Sequence, residues 1–367
     1  MPITEEPKKL GFGLMRLPRK GILTDVEQYK QMVDLFLGAG CTYFDTAFVY
    51  PGSEEATKKA LVERYPRDRY TLATKLHAGM RPTEKAAKQE LSTSLRRTGA
   101  GYIDYYLLHS LMNNNYKLYD RFHLWDFVRE QKANGTIRHY GFSFHAGPEL
   151  LDELLTEHPD AEFVQLQINY ADWENPSVQS RANYEVARKH GKRIVIMEPV
   201  KGGTLANPPK EVQELFKSAA PDRSFASWAI RFCASLDGVL TVLSGMSNLE
   251  QMRDNLSYMQ NFQPLSDAEQ RVLHEAMRIM GNSKTIPCTA CRYCTEGCPK
   301  HIPIPDVFAA VNRTLGSGHR TEAEEAYRAI PEGCRACDCI ACRQCEKVCP
   351  QHIPISEKMQ EIKDLFE

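Results

Sequence analysis

Two cysteine runs constrain the end of this 367-residue chain more than any other feature. Cys288, Cys291, Cys294 and Cys298 are followed by Pro299, giving C-x2-C-x2-C-x3-C-P. Cys339, Cys342, Cys345 and Cys349, followed by Pro350, repeat that spacing. The phrase CPKHIPI at 298–304 accordingly returns as CPQHIPI at 349–355. Of twelve cysteines only Cys41 and Cys233 precede residue 288. A reducing compartment keeps thiols unpaired, so such crowding reads as metal ligation rather than a disulfide framework. The composition shifts just after a helical stretch ending at Met280. The expected domains are therefore 1–280 and 281–367.

The spacing is that of the bacterial iron–sulfur run, in which the fourth cysteine ligates the other cluster. A cubane needs one thiolate per iron. Three close cysteines wrap one cluster, and the chain then carries the fourth to its twin. This assigns a first cluster to Cys288, Cys291, Cys294 and Cys349, and a second to Cys339, Cys342, Cys345 and Cys298. Paired zinc sites also use C-x2-C, but they rarely place four cysteines in one run with a trailing proline. Cys334 and Cys337 fit neither run. They read as free thiols beside a cluster, with a redox-active pair or a substitute ligand as the alternative. His301 and His352 read as structural, because the all-cysteine set is complete. The region resembles the two-[4Fe-4S] ferredoxins of bacteria. Helical patterns around Asp306–Leu315 and Thr321–Ala329 imply an enlarged, mainly α-helical ferredoxin-like domain.

The first 280 residues alternate short apolar runs with helical patterns. The runs are Leu10–Met15, Cys41–Asp45, Tyr70–Lys75, Ile103–Leu108, Ile137–Ser143, Phe163–Ile168, Ile194–Met197 and Val239–Leu243. Helices are expected at Val26–Leu37, Glu54–Glu63, Glu84–Thr98, Phe122–Gln131, Gly147–Leu155, Ser180–His190 and Pro221–Ala234. Eight parallel strands with covering helices close into a (β/α)8 TIM barrel. An open doubly wound sheet is the competing α/β architecture, but no G-x-G-x-x-G follows the first strand. Barrel chemistry sits at the carboxyl ends of strands. Those ends read Arg16, Asp45, Lys75, His109, Ser143, Gln165, Met197 and Ser244, with Tyr50 in the loop after Asp45.

FDTAFVYPGSEE, ATKL, LLHS, GFSFH, VQLQINY and SGMSNLEQMRDN resemble the aldo-keto reductases across residues 8–258. The resemblance implies that Tyr50 is the general acid that protonates the developing alkoxide. Lys75 would lower its pKa, Asp45 would hold Lys75, and His109 would orient the carbonyl. Hydride addition puts negative charge on oxygen, and a phenol needs a nearby cation to release its proton near neutral pH. For the cofactor, the resemblance implies that Ser143 and Gln165 hold the nicotinamide carboxamide, while Met15 and Arg16 follow the first strand beside the expected cofactor. Gly202 and Gly203 would let the backbone approach the pyrophosphate. Ser244, Gly245, Ser247, Gln251 and Asn255 match the adenine-ribose segment. Met197 stands where family members often carry an aromatic ring, and its sulfur suits packing on a ring. GMSNLEQ lacks the usual basic residues for a 2′-phosphate, so NADP(H) and NAD(H) both stand.

The expected function is reduction of an aldehyde or ketone to an alcohol, or the reverse, with hydride from a nicotinamide. Two alternatives remain open. In one, a flavin or a ferredoxin-linked route passes electrons between the barrel site and the clusters, since a hydride carries two electrons and a cluster takes one. In the other, the chain is a redox-sensing regulatory subunit. A net charge of −1 points to neither a nucleic-acid nor a membrane surface. MPITEEPKKLG has no apolar leader-like run, so the expectation is a cytoplasmic protein. The expected partners are a small carbonyl or alcohol and a redox protein that exchanges electrons with the clusters.

Overall fold

The computed structural model describes residues 7–281, 285–317 and 320–366. The leader reading at residues 1–6 and the positions 282–284, beside the composition shift, lie outside the described residues. Two compact units are present. The first comprises Met1–Asn175, Gln179–Pro199 and Ala226–Ser266; the second comprises Pro176–Val178, Val200–Phe225 and Asp267–Glu367.

The first unit is a closed parallel barrel. Its strands are β1 (Leu10–Gly13), β2 (Tyr43–Asp45), β3 (Thr71–Leu76), β4 (Ile103–Leu111), β5 (Ile137–Phe144), β6 (Phe163–Gln167), β7 (Arg193–Met197) and β8 (Val239–Ser244). Each pairs with the next, and β8 closes on β1 through Leu10 opposite Val242 and Phe12 opposite Ser244. The strands read as continuous apolar runs because both faces are covered. Tyr43, Ala73, Tyr105, Leu107, Phe163, Val195, Leu240 and Leu243 form one buried cluster, as expected of a barrel interior filled by side chains. Gly141 is dictated by strand pairing: a Cβ there would stand 2.1 Å from the Phe163 carbonyl oxygen.

The outer helices show ordinary sequence logic. In Glu84–Thr98, Thr83 accepts from the Ala86 N–H at 3.2 Å, and Gly99 at φ +67° ends the helix. Ala87, Leu91, Ser94 and Thr98 form its buried face, spaced at helical intervals. The pattern expected as one helix over Glu54–Glu63 is instead a short helix, Ser53–Thr57, running into a wider π-type turn, Lys58–Val62. A two-residue hairpin, Arg19–Lys20 with Leu23–Thr24, follows β1 and was not expected.

The second unit is mainly helical. Helix Lys210–Ala219 buries Val212 and Phe216 and packs against Asp267–Met280, which buries Leu273 and Ala276. Helices Ile304–Ser317, Arg320–Arg328 and Ile355–Phe366 surround a core of Ile302, Val307, Phe308, Val311, Tyr327, Ile353, Met359 and Ile362. Among the described residues no helix is long and apolar enough to cross a membrane.

Candidate active site and metal centres

At the carboxyl end of the barrel, β3 points Lys75 inward, 1% exposed. Its ammonium donates to Asp45 Oδ1 at 2.5 Å and to the Thr46 carbonyl at 2.7 Å. Burial draws Lys75 below its ordinary value and Asp45 above its own, and their mutual attraction opposes both shifts. The cost of taking both charges out of water offsets much of the attraction in a buried pair of this kind. The loop after β2 continues the sheet: Thr46 N–H donates to the Ala73 carbonyl at 2.9 Å. Ser53 then anchors the loop by donating to the Leu14 carbonyl at 3.0 Å. The loop holds Tyr50 half-buried, with Lys75 Nζ 5.1 Å from its ring centre.

His109 lies within β4, which runs three residues past the expected end at Leu108. Its ring meets Tyr50 edge-on at 6.0 Å and His77 at 5.4 Å. Burial holds the imidazole well below its usual range, and the nearby His77, Lys75 and His145 push it the same way. His109 is therefore neutral at physiological pH and presents a ring N–H donor. Its Nδ1 is buried without a hydrogen-bond partner among the described residues. Asp45, Tyr50, Lys75 and His109 are thus brought together from three strand ends and one loop.

Ser143 and Gln165 face each other across β5 and β6. Both are buried. Ser143 Oγ accepts from the Ser110 N–H at 2.7 Å. Gln165 Oε1 is buried and unsatisfied among the described residues. An orphaned amide oxygen at a strand end fits a carboxamide ligand, because a buried acceptor without a donor carries a desolvation cost. The loops after β1 and β8 interlock. Ser247 Oγ donates to the Arg16 carbonyl at 2.8 Å, and Gln251 Oε1 accepts from Ser247 N–H at 2.7 Å. Asn255 Nδ2 donates to Ser244 Oγ at 2.6 Å. Arg16 also pairs with Glu198 at 3.5 Å. Met15 and Met197 are half-buried, and a Cβ added to Gly245 would stand 4.0 Å from the Arg16 Cβ and from the Gly13 carbonyl oxygen. Gly202 and Gly203 belong to the second unit, where the close approach Gly202 makes is to the Thr289 backbone.

Several site residues escaped the sequence reading. His77 is half-buried beside His109, with its pKa pushed down to about 4 by desolvation. The signal for it was strand alternation, since it lies two residues after Lys75. Ser110 and Glu198 hold left-handed backbone, at φ +62° and +55°, directly after His109 and Met197. Non-glycine residues in that region are strained and gather at functional sites. Asn169 steadies the Glu198 turn by donating to its carbonyl at 3.1 Å. Nothing in a linear sequence marks such turns.

In the second unit the cysteine runs share one backbone. Left-handed Ala290, Arg292 and His301 recur as Ala341, Arg343 and His352, each 51 positions later. His301 N–H donates to the Cys298 carbonyl at 3.0 Å, as His352 does to Cys349 at 3.1 Å. Successive turns of this kind point backbone N–H groups inward, as at anionic iron–sulfur sites; the Ala290 N–H indeed donates to Cys288 Sγ at 3.4 Å. Cys298, Cys339, Cys342 and Cys345 line one cavity, which is the crossed set expected for a second cluster. Burial raises the Cys294 thiol, and the nearby Cys291, Cys349, Cys288 and Cys345 push it the same way. These include the set expected for a first cluster. Among the described residues no three His, Cys, Asp or Glu side chains converge as for a single ion. A cubane spreads its thiolates around a larger body, so the two observations agree. Cys334 packs half-buried on the core, and Cys337 is exposed.

Residues 9–277 match the family model described as aldo/keto reductase family, and residues 287–357 match that of a 4Fe-4S dicluster domain. An aldo-keto reductase named str7 from Strobilurus tenacellus is 30% identical over 211 residues, which is 54% of this chain and 59% of that protein. The chain thus spans less than two thirds of that relative. An aldo-keto reductase of Mycolicibacterium paratuberculosis is 27% identical over 76% of this chain and 93% of its own length. Among solved structures, the holo form of aldo-keto reductase AKR11C1 from Bacillus halodurans is 26% identical, with a TM-score of 0.59 over 74% of this chain and 92% of that one.

Proposed function

The chain belongs to the aldo/keto reductase family and is an oxidoreductase with a C-terminal 4Fe-4S dicluster domain; from that premise we propose that its barrel reduces an aldehyde or ketone to an alcohol, or runs the reverse. The observation that carries this reading is the convergence of Lys75, Asp45, Tyr50 and a neutral His109 at the strand ends.

A nicotinamide dinucleotide, when bound, supplies the hydride. Ser143 and Gln165 would hold its carboxamide, and Arg16, Ser244, Ser247, Gln251 and Asn255 its adenosine end. His109 donates its ring N–H to the substrate oxygen and orients the carbonyl. Tyr50 gives its phenolic proton to the same oxygen as negative charge builds there. Lys75, held by Asp45 and the Thr46 carbonyl, favours the phenolate left behind. The buried setting strengthens each of these interactions. Cys288, Cys291, Cys294 and Cys349 would hold one cluster, and Cys339, Cys342, Cys345 and Cys298 the other. The two clusters would give the chain one-electron storage in addition to a two-electron site.

The test is anaerobic turnover of NADPH and of NADH against small aldehydes and ketones, with alcohol formed in step with cofactor oxidised. No alcohol from either cofactor across the panel would overturn the reading.

A further inference from the structure

Because the two cysteine runs repeat one backbone, positions 51 apart should meet like surroundings. One pair does not. Thr289 follows the first cysteine of the first run and is 2% exposed. Gly202, at φ +65°, lies so close that a Cβ on it would stand 2.6 to 2.9 Å from the Thr289 carbonyl oxygen, Cα and carbonyl carbon. Ile340 holds the same place in the second run and is 58% exposed. Cys342 is exposed, whereas its counterpart Cys291 is half-buried. Lys300 is exposed, whereas its counterpart Gln351 is 4% exposed. Lys300 flanks Cys298 of the second ligand set and Gln351 flanks Cys349 of the first, so the second unit covers the surroundings of the first set and leaves those of the second set bare.

The bare face has a definite chemistry. Ile340, Lys300 and Arg343 line the cavity that Cys298, Cys339, Cys342 and Cys345 share; Arg343 also reaches Glu346 and Glu357 at 4.0 Å, which leaves Lys300 as the exposed cation of this face. A single exposed isoleucine is ordinary. An exposed apolar residue that shares a cavity with an exposed lysine and four cysteines is a surface on which a negatively charged protein can be steered and then desolvated. We propose that the Ile340 face docks an acidic one-electron carrier protein, which exchanges electrons with the second cluster. The partner does there what the Gly202 segment does over Thr289: it covers the loop and excludes water. One electron leaves the reduced carrier and one enters the cluster, so the carrier is oxidised by one electron and the cluster reduced by one. No bond forms or breaks, and no proton need move. The proposal rests on the cluster assignment above.

The probe is a reduced, acidic flavodoxin mixed anaerobically with the iron-loaded full-length protein, with flavin oxidation followed by stopped flow. Bleaching by dithionite is measured beside it. Dithionite is small and needs no docking face, so bleaching of the wild-type chain tests the clusters themselves. With that established, the flavodoxin rate should fall with added salt. It should drop about tenfold or more in Ile340→Asp and in Arg343→Glu, the scale of lost electrostatic steering, while dithionite bleaching holds. Equal flavodoxin rates in wild type and both variants would overturn the proposal, as would a matching loss of the dithionite rate. If Ile340→Asp loads less iron, calorimetric titration of Lys300→Glu with oxidised flavodoxin replaces it. Weakened binding supports the docking face, and unchanged binding overturns it.

Discussion

The barrel site and the cluster unit gather their functional side chains in opposite ways. Lys75, Asp45 and His109 come from three strands, and Asn255 from a helix far along the chain. None sits in an unusual local conformation; the closed barrel as a whole positions them. The proposed cluster ligands lie between Cys288 and Cys349, and left-handed residues recur at the same offsets in both runs. The barrel site is therefore preorganised by global topology and should persist through local damage elsewhere. The cluster unit is organised by local backbone and by its metal, since ligand binding and folding are coupled in such sites.

Three perturbations sharpen that contrast. The largest effect should come from the ligands. Cys298→Ser should cost about half of the bound iron, because one of two cubanes is lost. Combining it with Cys339→Ala should cost no more, since both serve the second cluster. Iron analysis showing near-total loss in the double variant would mean that each run keeps its own cluster, contrary to the crossed assignment. Next comes pH. His77 and His109 are held neutral in the fold, below the unfolded value of about 6.5. The unfolded chain therefore binds more protons below that pH. The stabilising contribution is complete above it and is lost as pH falls toward the folded values, by up to about 1.4 kcal/mol per pH unit for each histidine. Urea melts of His77→Gln should show a shallower acid slope, and an unchanged slope would contradict the burial argument. The smallest effect belongs to Gly202. Gly202→Ala adds a methyl against the Thr289 backbone at a left-handed position, at a cost of about 1–3 kcal/mol. Gly203→Ala, at φ +101° with nothing within 4 Å of the added carbon, should cost less. Thermal melts followed by cluster absorbance rank the two, and equal shifts would remove the close-packing explanation.

The same contrast explains what was legible in the sequence. The cysteine spacing pointed to the proposed crossed ligand sets, because those candidate ligands are local in sequence. The eight strands were legible from apolar runs, although β4 outran its expected end and carries His109 inside the strand. The Glu54–Glu63 pattern missed the π-type turn, since hydrophobic periodicity does not register a widened turn. His77, the strained Ser110 and Glu198, and the Gly202–Thr289 contact went unread. Each depends on tertiary approach between segments distant in sequence, which no local pattern encodes.

The central claim is that the barrel performs acid-assisted hydride chemistry independently of the metal ligands. The most direct test is Tyr50→Phe, assayed anaerobically for carbonyl turnover with iron content measured on the same sample. Turnover should fall about 10^2- to 10^4-fold, the usual worth of a positioned general acid, with iron unchanged. Wild-type turnover in that variant would contradict the account.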